Sequence, residues 1–363
     1  MDSFTNAPKL AINLKKTCEF GRKMPFFDVS LQMTKMTIDQ IFEDFNGLRV
    51  LVVGDIMLDA YVWGKVERIS PEAPVPVVNV QKREVRLGGA GNVILNVQAL
   101  GAQAVACAVV GQDDFGNKLL QLLRDNDLDT SGIVQSPHRI TTVKERIIAG
   151  SQQIVRVDTE TDKIITEHEQ TQLIERAKAL IPTCQVVVFE DYDKGVLCNR
   201  VIQEITDFAN AAGVPTVVDP KKRNFLAYQN VSLFKPNLKE LKEGLKIDFD
   251  VKNPAELEEV VQQLLQKLNA KGAFITLSEN GVYIDYQQHK HLIPAHKREI
   301  ADVSGAGDTV ISIAACCVAL GLSPKLVAEL SNLGGGLVCE YVGVVPIQKA
   351  KLKEEAHKAL LIP

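Results

Sequence analysis

The segment Asp302-Val-Ser-Gly-Ala-Gly-Asp308-Thr309 carries the residue types best suited to chemistry in this chain. Its small residues Gly305, Ala306 and Gly307 let the backbone turn sharply, so that N–H groups converge at the start of a predicted apolar helix and form an anion hole. A carboxylate beside a bound phosphate is useful when it accepts a proton from an attacking hydroxyl. Asp308 is therefore a candidate base for phosphoryl transfer, and an ordinary helix N-cap is the alternative interpretation.

A second glycine-rich element, Leu87-Gly-Gly-Ala-Gly-Asn92, precedes a helix predicted to begin near Val93. Gly88 and Gly89 expose the backbone, and the amide of Asn92 is a planar donor and acceptor suited to sugar hydroxyls. The spacing differs from G-x-G-x-x-G, so the element does not predict a dinucleotide site. A helix entrance capped by Asn92 is equally compatible with the sequence.

Two carboxylates, Asp55 and Asp59, bracket the end of the first predicted strand. Ligands bind at the carboxyl ends of the strands in an open α/β sheet. Both side chains are therefore candidates to accept hydrogen bonds from sugar hydroxyls. A solvated loop would have the same composition.

Asn237 and Glu240 open another predicted helix, three residues apart and hence on one face. Oxygen ligands in this arrangement suit a magnesium ion that keeps its water shell. The alternative is a capping box, with Asn237 at the N-cap and Glu240 at the third position, which needs no metal.

The cations Lys144 and Arg146 alternate along a predicted strand and share a face with Thr142. Two cations on one face suit a substrate phosphate, which would bind both. Solvated charge on an edge strand is the alternative interpretation.

Short apolar runs alternate with amphipathic segments of helix length, which predicts an α/β fold with a mainly parallel sheet. The predicted strands are Arg49 to Asp55, Ala104 to Gly111, Val186 to Asp191, Pro215 to Asp219, Val231 to Lys235 and Ala273 to Leu277. The predicted helices include Thr37 to Phe45, Gly116 to Asn126, Thr166 to Ile181, Asn199 to Ala212 and Asn253 to Asn269. Two segments rich in Val and Ile, about 61–87 and 139–158, alternate with period two and predict a small inserted antiparallel sheet, which we call the lid.

Composition excludes several functional classes. The 363 residues are 46% hydrophobic, enough for a large core, and the net charge of −4 does not favour binding to nucleic acid. The longest apolar runs, such as Val310 to Leu322, fall short of the roughly 20 residues that span a bilayer. Seven cysteines without C-x-x-C spacing predict reduced, buried thiols in a cytoplasmic protein. Residues 1–36 lack a signal-peptide block and are predicted to be an extension before a domain over 37–363.

These elements together resemble the ribokinase-like (PfkB) carbohydrate kinase family over roughly residues 47 to 350. The matching segments, which follow the family's order, are Gly54-Asp55, Gly88-Gly89 through Asn92, Asp219-Pro220-Lys221, Asn237 to Glu240 and Gly305-Ala306-Gly307-Asp308. The resemblance implies a three-layer α/β/α sandwich with a small β-sheet lid. It also implies an enzyme that transfers a phosphoryl group from ATP to a sugar.

Other segments are similar to the heptose 7-phosphate kinase branch of that family. They are Gly54 to Asp59, Arg68 to Val78, Gln152-Gln153 through Asp158 and Asp191-Tyr-Asp-Lys-Gly195. That branch phosphorylates O1 of D-glycero-D-manno-heptose 7-phosphate and supplies ADP-heptose for bacterial lipopolysaccharide. Many relatives add a nucleotidyltransferase domain with an H-x-G-H motif. None of the six histidines here forms that motif, which predicts a stand-alone kinase.

The resemblance assigns roles to the residues that match the family's motifs. Asp308 would be the base, and the amides of Gly305, Ala306 and Gly307 would stabilise the transferring phosphoryl group. The sugar would contact Asp55, Asp59, Gly88, Gly89, Asn92 and Asp191, and its phosphate would contact Lys144 and Arg146. ATP would contact Lys221, Asn237, Ser278, Gly281 and Asn332, with Asn237 and Glu240 holding magnesium through water. A monovalent cation near Asp302 and a homodimer through the lid sheets are also implied.

Some positions depart from the branch. Glu190 and Asp193 stand where relatives often carry Ser and Ala, and Gly91 stands where the branch usually has Ala. A kinase for another sugar phosphate, such as a fructose phosphate, is therefore the first alternative. The second is a catalytically silent sugar-binding regulatory protein on the same fold, against which the retained Asp308 and its glycines argue.

Overall fold

The structure, a computed structural model, describes residues 36–150, 152–296 and 298–359. The strands in these residues are β1 (Arg49–Gly54), β2 (Ile56–Ile69), β3 (Pro76–Gly89), β4 (Gln103–Cys107), β5 (Val109–Gly111), β6 (Val134–Ser136), β7 (Val143–Ala149), β8 (Gln152–Thr159), β9 (Val186–Glu190), β10 (Thr216–Asp219), β11 (Leu233–Phe234), β12 (Gly272–Thr276), β13 (Val282–Tyr286) and β14 (His289–Ile293). The helices are α1 (Ile38–Asp44), α2 (Ala90–Ala99), α3 (Asp114–Asp125), α4 (Glu167–Leu180), α5 (Asn199–Ala211), α6 (Leu238–Leu245), α7 (Pro254–Leu268), α8 (Ala306–Ala319), α9 (Pro324–Val338) and α10 (Lys349–Ala359). The predicted N-terminal extension lies outside the described residues, apart from Met36.

The central sheet has the strand order β14-β13-β12-β11-β10-β9-β1-β4. The strands from β12 to β4 run parallel, and the hairpin of β13 and β14 adds antiparallel strands at one edge. Residues from Val50 to Val53 are all buried, as expected for a strand covered on both faces. The prediction of a mainly parallel sheet is confirmed.

Helices cover both faces of this sheet. Leu51 and Val53 of β1 point into a core that they share with α4, α5 and α7. On the other face pack α2, α8 and α9. Local sequence sets the helix ends: Thr166 and Glu169 form a capping box at α4, while Asn269 ends α7 in the left-handed conformation with φ 47°. The predicted three-layer α/β/α architecture is confirmed.

The lid is a four-stranded sheet of order β3-β2-β7-β8. Only Asp55 separates β1 from β2, and β3 runs directly into α2, so the lid continues from the elements that carry the predicted site. The predicted lid segments are present, but the expectation of an all-antiparallel sheet is wrong because β2 and β7 pair in parallel. The long connection between them, which contains α2 to β6, permits that direction.

The segment Ala104 to Gly111 is two strands, not the single strand predicted. The carbonyl of Ala108 accepts a hydrogen bond from the backbone N–H of Val134, at 2.8 Å, and β5 leaves the central sheet to pair with β6. An apolar run does not reveal this change of partner, because both strands are buried.

The six cysteines of the described residues are free, buried thiols, as predicted, and Cys18 lies outside these residues. Within the described part of the chain, every helix is too short or too polar to span a bilayer.

Candidate active site

The carboxyl ends of three adjacent parallel strands bring acidic residues together. Asp55 follows β1, Glu190 ends β9 and Asp219 ends β10. The chain reverses its direction of strand addition between β1 and β9, and ligands of open α/β sheets bind at such a point. The N-terminus of α8 reaches the same place, since Gly307 lies beside Asp219.

Asp308 lies in the first turn of α8 and is 8% exposed. Its Oδ2 accepts a hydrogen bond from Nδ2 of Asn92 at 2.6 Å, and its Oδ1 accepts one from Oη of Tyr192 at 2.9 Å. Burial raises the pKa of Asp308, while both hydrogen bonds act in the opposite direction. The carboxylate is thus held by neutral donors and stays basic enough to take a proton from a hydroxyl.

The backbone before Asp308 has the geometry of an anion site. Gly305 caps α8 with φ 78°, a left-handed conformation that favours glycine, and no side chain caps the helix. A side chain on Gly307 would lie 3.7 Å from Oδ2 of Asp219 and 3.9 Å from Nζ of Lys235. The N–H of Ala306 donates to the carbonyl of Val303 at 3.3 Å, whereas the following N–H groups of the first turn open into a space that also contains a buried ammonium group.

Two lysines neutralise Asp219 at this position. Nζ of Lys235 lies 2.8 Å from Oδ2 of Asp219, and Nζ of Lys221 lies 3.4 Å from its Oδ1. Lys221 also pairs with Glu240 at 2.9 Å. Although burial opposes ionisation, the two ammonium groups lower the pKa of Asp219 below its ordinary value. The sequence analysis missed Asp219 and Lys235 as site residues; a lysine ending an apolar strand was the available clue.

Glu190 is fully buried, and both of its carboxyl oxygens lack a hydrogen-bond partner within the described residues. Burial, followed by the nearby Asp219 and Asp308, raises its pKa well above the ordinary value. The fold therefore favours the protonated form of Glu190, which adds bulk and a polar group beneath the site.

A cavity of about 830 Å³ opens beside the α8 N-terminus, a size common for small-molecule sites. Its walls include Lys221, Asn237, Glu240, Ser278, Gly307 and Asp308. Four predicted nucleotide or metal residues, Lys221, Asn237, Glu240 and Ser278, are thus brought together.

Two predicted nucleotide residues do not line this cavity. Gly281, with φ 90°, turns the chain into β13, and Asn332 of α9 donates to the carbonyl of Pro294 at 2.9 Å. Each fixes the segment around the β13–β14 hairpin, and their contact with ATP stays a prediction.

Asn237 and Glu240 form the capping box of α6, with both reciprocal hydrogen bonds at 2.8 Å. Within the described residues, no group of three His, Cys, Asp or Glu side chains is arranged to hold a metal. The groups that could bind a cation here are the amide of Asn237 and the carboxylate of Glu240, and their oxygen atoms suit a hard cation that keeps most of its waters. The two residues fit magnesium through water only, and Glu240 is shared with Lys221.

Asp302 accepts hydrogen bonds from the backbone N–H and hydroxyl of Ser304, at 3.0 and 2.8 Å, and from the N–H of Gly343 at 2.9 Å. This carboxylate fixes the loop that precedes α8. The monovalent cation predicted nearby stays a prediction.

The lid presents charged and aromatic residues to the cleft. Arg146 donates to Oδ1 of Asp59 at 2.6 Å, and its guanidinium lies 5.3 Å from the ring centre of Tyr61. The guanidinium of Arg86, a residue that the sequence analysis missed, lies 5.2 Å from the ring centre of the same tyrosine. Since β7 is an interior strand, the edge-strand interpretation of Lys144 and Arg146 is wrong.

The glycines at the end of β3 leave space for the side chains of the lid that lie beside them. A side chain on Gly88 would overlap the carboxylate of Asp59, and Gly89 adopts φ 58° where the lid turns into α2. Asn92, one turn into α2, is 1% exposed and bonds Asp308 rather than capping the helix. The capping interpretation of Asn92 is therefore wrong.

Asp55 and Asp191 are held by hydrogen bonds within the protein. Asp55 is 2% exposed, and its oxygens accept the backbone N–H groups of Tyr192, Lys194 and Val196 at 2.9 to 3.2 Å. Asp191 is fully buried and accepts hydrogen bonds from Tyr228 and Asn224, and burial raises its pKa to about 6. Both carboxylates hold the loop after β9, and their contact with sugar stays a prediction.

A family model described as pfkB family carbohydrate kinase matches residues 48–350. This chain belongs to the pfkB family of carbohydrate kinases. The family resemblance is thus confirmed, and with it an ATP-dependent sugar kinase activity. Among curated relatives, the bifunctional protein HldE of Desulfatibacillum aliphaticivorans is 38% identical over 88% of this chain. The bifunctional protein HldE of Caulobacter vibrioides is 41% identical over 87% of it.

The matches to these relatives cover 66% and 65% of their own lengths. Solved structures of pfkB kinases share the fold. Phosphofructokinase-2 from Escherichia coli, in complex with fructose-6-phosphate, superposes with a TM-score of 0.71 at 19% identity and covers 85% of this chain and 99% of that one. Ribokinase from Arabidopsis thaliana, complexed with ribose and ATP, gives a TM-score of 0.65 at 15% identity, with coverage of 85% and 99%.

The raised pKa of Glu190 predicts how the stability of the protein depends on pH. A carboxyl with a raised pKa in the fold binds its proton more tightly than the unfolded chain does, so the free energy of unfolding falls as pH rises above the ordinary glutamate value of 4.5. Glu190→Gln removes this loss. We expect the variant to become progressively more stable than the wild type between pH 5 and pH 8.5 in urea unfolding.

The control is Glu259→Gln, at an exposed position of α7. Its free energy of unfolding should differ from that of the wild type by the same amount throughout this pH range. A Glu190→Gln variant less stable than the wild type, by an amount independent of pH, would mean that Glu190 is ionised and held by the lysines.

Proposed function

We propose that this protein phosphorylates the anomeric O1 of D-glycero-D-manno-heptose 7-phosphate and produces heptose 1,7-bisphosphate in the cytoplasm. One observation carries the proposal: Tyr192 contacts both the base Asp308 and the lid cation Lys144. Its Oη donates to Asp308, and Nζ of Lys144 lies 5.4 Å from its ring centre. A sugar that bears a reactive hydroxyl at one end and a phosphate at the other would bring these ends to the two groups.

Two cations of the lid, Lys144 and Arg146, are candidates to bind the phosphate of the acceptor. Lys144 has no carboxylate within ion-pair distance among the described residues, and burial lowers its pKa. Arg146 is half-buried on the same face and fixed by Asp59. A phosphate with charge-assisted hydrogen bonds to both would compensate the desolvated ammonium group.

The transfer step follows from the groups around Asp308. The acceptor hydroxyl gives its proton to Asp308 as its oxygen bonds to the γ-phosphorus of ATP, and the bond from that phosphorus to the bridging oxygen of ADP breaks. The N–H groups at the start of α8 and the ammonium of Lys235 stabilise the charge on the phosphoryl oxygens. Magnesium, held through water by Asn237 and Glu240, would neutralise the ATP phosphates when bound.

The first prediction concerns the acceptor and the base. Phosphorus NMR with ATP should show a new anomeric phosphate from heptose 7-phosphate, and no comparable product from fructose 6-phosphate, fructose 1-phosphate or ribose. Asp308→Asn keeps the size of the side chain but cannot accept the proton, and should lower kcat by about 10²–10⁴-fold.

Turnover of fructose 6-phosphate in preference to the heptose would replace the proposed acceptor. Sugar binding without turnover of any acceptor would favour the silent regulatory protein instead.

The second prediction concerns the phosphate contacts. Lys144→Met and Arg146→Met keep most of the side-chain volume and remove the charge. Each should raise KM for heptose 7-phosphate by about 10-fold or more, because a charge-assisted hydrogen bond contributes about 1.5–3 kcal/mol. KM for ATP should stay unchanged, as should kcat/KM for unphosphorylated heptose.

Arg124→Met, at an exposed position of α3, is the control and should leave every constant unchanged. An equal loss of kcat/KM with the phosphorylated and unphosphorylated sugars would place the phosphate elsewhere.

We also propose that two copies of the chain pair through the outer faces of their lids. This face carries an apolar groove of about 450 Å³ that includes Val62, Val78, Val80, Ile147 and Val155. Val80 and Val155 are 48% and 46% exposed, which is unfavourable for a lid facing water. A second lid with the same face would cover both grooves in a symmetric contact.

The third prediction tests this pairing by light scattering. The wild type should have the mass of a dimer, and Val155→Glu should shift it to the monomer because a charge cannot be buried unpaired. Leu292→Glu, which changes an equally exposed residue on β14, should remain a dimer. A monomeric wild type at micromolar concentration would contradict the proposal.

A further inference from the structure

Tyr192 contacts Asp308 and two lysines of the site, although the family resemblance assigns it no role. Its hydroxyl donates to Oδ1 of Asp308 at 2.9 Å, while Asn92 donates to Oδ2 at 2.6 Å. With both oxygens held, the plane of the carboxylate is fixed. The acceptor hydroxyl must then approach the lone pairs that Tyr192 and Asn92 leave free.

Two ammonium groups lie against the ring of Tyr192. Nζ of Lys144, from the lid, and Nζ of Lys221, from the nucleotide cavity, each lie 5.4 Å from the ring centre. Such contacts are cation–π interactions, which stabilise both lysines in their positions. The backbone N–H of Tyr192 donates to Oδ2 of Asp55 at 2.9 Å, which fixes the main chain from which the ring extends.

Asp308 is surrounded by other titratable groups that also influence its proton affinity. They are Asp219 at the end of β10, Lys235 after β11, Glu190 at the end of β9 and Lys221, which bonds Asp219. Burial raises the pKa of Asp308 and Asp219 adds to this effect, whereas Asn92, Tyr192 and Lys235 lower it. Asn92 and Tyr192 donate directly to the carboxylate; Lys235 acts through charge.

We propose that Tyr192 is a positioning residue for phosphoryl transfer: its hydroxyl orients Asp308 toward the acceptor, and its ring holds Lys144 of the lid and Lys221 of the nucleotide cavity in position. This inference rests on the proposed acceptor only for its kinetic test. It assigns a role to Tyr192 that depends on the hydroxyl and a separate one that depends on the ring, and two variants separate them.

Tyr192→Phe removes the hydroxyl and keeps the ring. We expect kcat with heptose 7-phosphate to fall by about 10-fold or more, with KM for ATP unchanged, because only the orientation of the base is lost. Without this donor Asp308 binds its proton more tightly, so the acid limb of the kcat profile should move to higher pH by about one unit. Tyr192→Leu also removes the ring and should in addition raise KM for heptose 7-phosphate.

Tyr228→Phe is the matched control, since Tyr228 also donates a buried hydrogen bond to an aspartate, Oδ2 of Asp191 at 2.7 Å. It should lower stability without moving the acid limb. A Tyr192→Phe enzyme with the kcat and acid limb of the wild type would overturn the proposal, as would an equal shift in Tyr228→Phe.

A second measurement does not need an acceptor. The carboxyl carbon of Asp308, labelled with ¹³C-aspartate and identified by its loss in Asp308→Asn, can be titrated by NMR in the wild type and in Tyr192→Phe. The variant should titrate at higher pH. If heptose 7-phosphate is not a substrate, the proposed acceptor fails and this titration still decides the role of Tyr192: equal titration curves would overturn it.

Discussion

The carboxylate of Asp55 joins the three parts of the molecule that form the cleft. Its backbone N–H donates to the carbonyl of Glu190 at 3.1 Å, and its carbonyl accepts the N–H of Ala90, the first residue of α2, at 3.0 Å. Its side chain accepts three N–H groups from the loop after β9, and that loop carries Tyr192. Burying this charge is tolerable because the three donors replace its water. The central sheet, the lid and the base therefore share one fixed point.

The charges of the cleft explain why the base can remain a base. Lys221 and Lys235 are directed at Asp219, and Asp308 receives its hydrogen bonds from the neutral groups of Asn92 and Tyr192. A direct ion pair would have stabilised the carboxylate so strongly that it would accept a proton poorly. The lysines instead lie near the helix N-terminus, where negative charge develops on the phosphoryl group.

The sequence predicted those parts of the site whose residues lie close together along the chain. The glycines before Asp308 must turn a chain into a helix, and the spacing of Lys144 and Arg146 fixes a common face. The role of Asp55 could not be predicted, because its partners lie 137 to 141 residues away. The hydrogen bonds of Asp191 could not be predicted for the same reason. Its position at a strand end suggests a cleft, whereas Tyr228 and Asn224 hold its side chain in the interior.

The departures from the heptose branch have local explanations in packing and charge. A side chain on Gly91 would lie 2.8 Å from Cβ of Leu87, so glycine here permits close packing of the lid strand on α2 and does not loosen the loop. Glu190 is fully buried, and burial favours its protonated form, so it changes the polarity beneath Asp308 and Asp219 more than the shape of the sugar site. Its effect on the acceptor must then act through those two carboxylates, since any charge it acquired would raise the proton affinity of both.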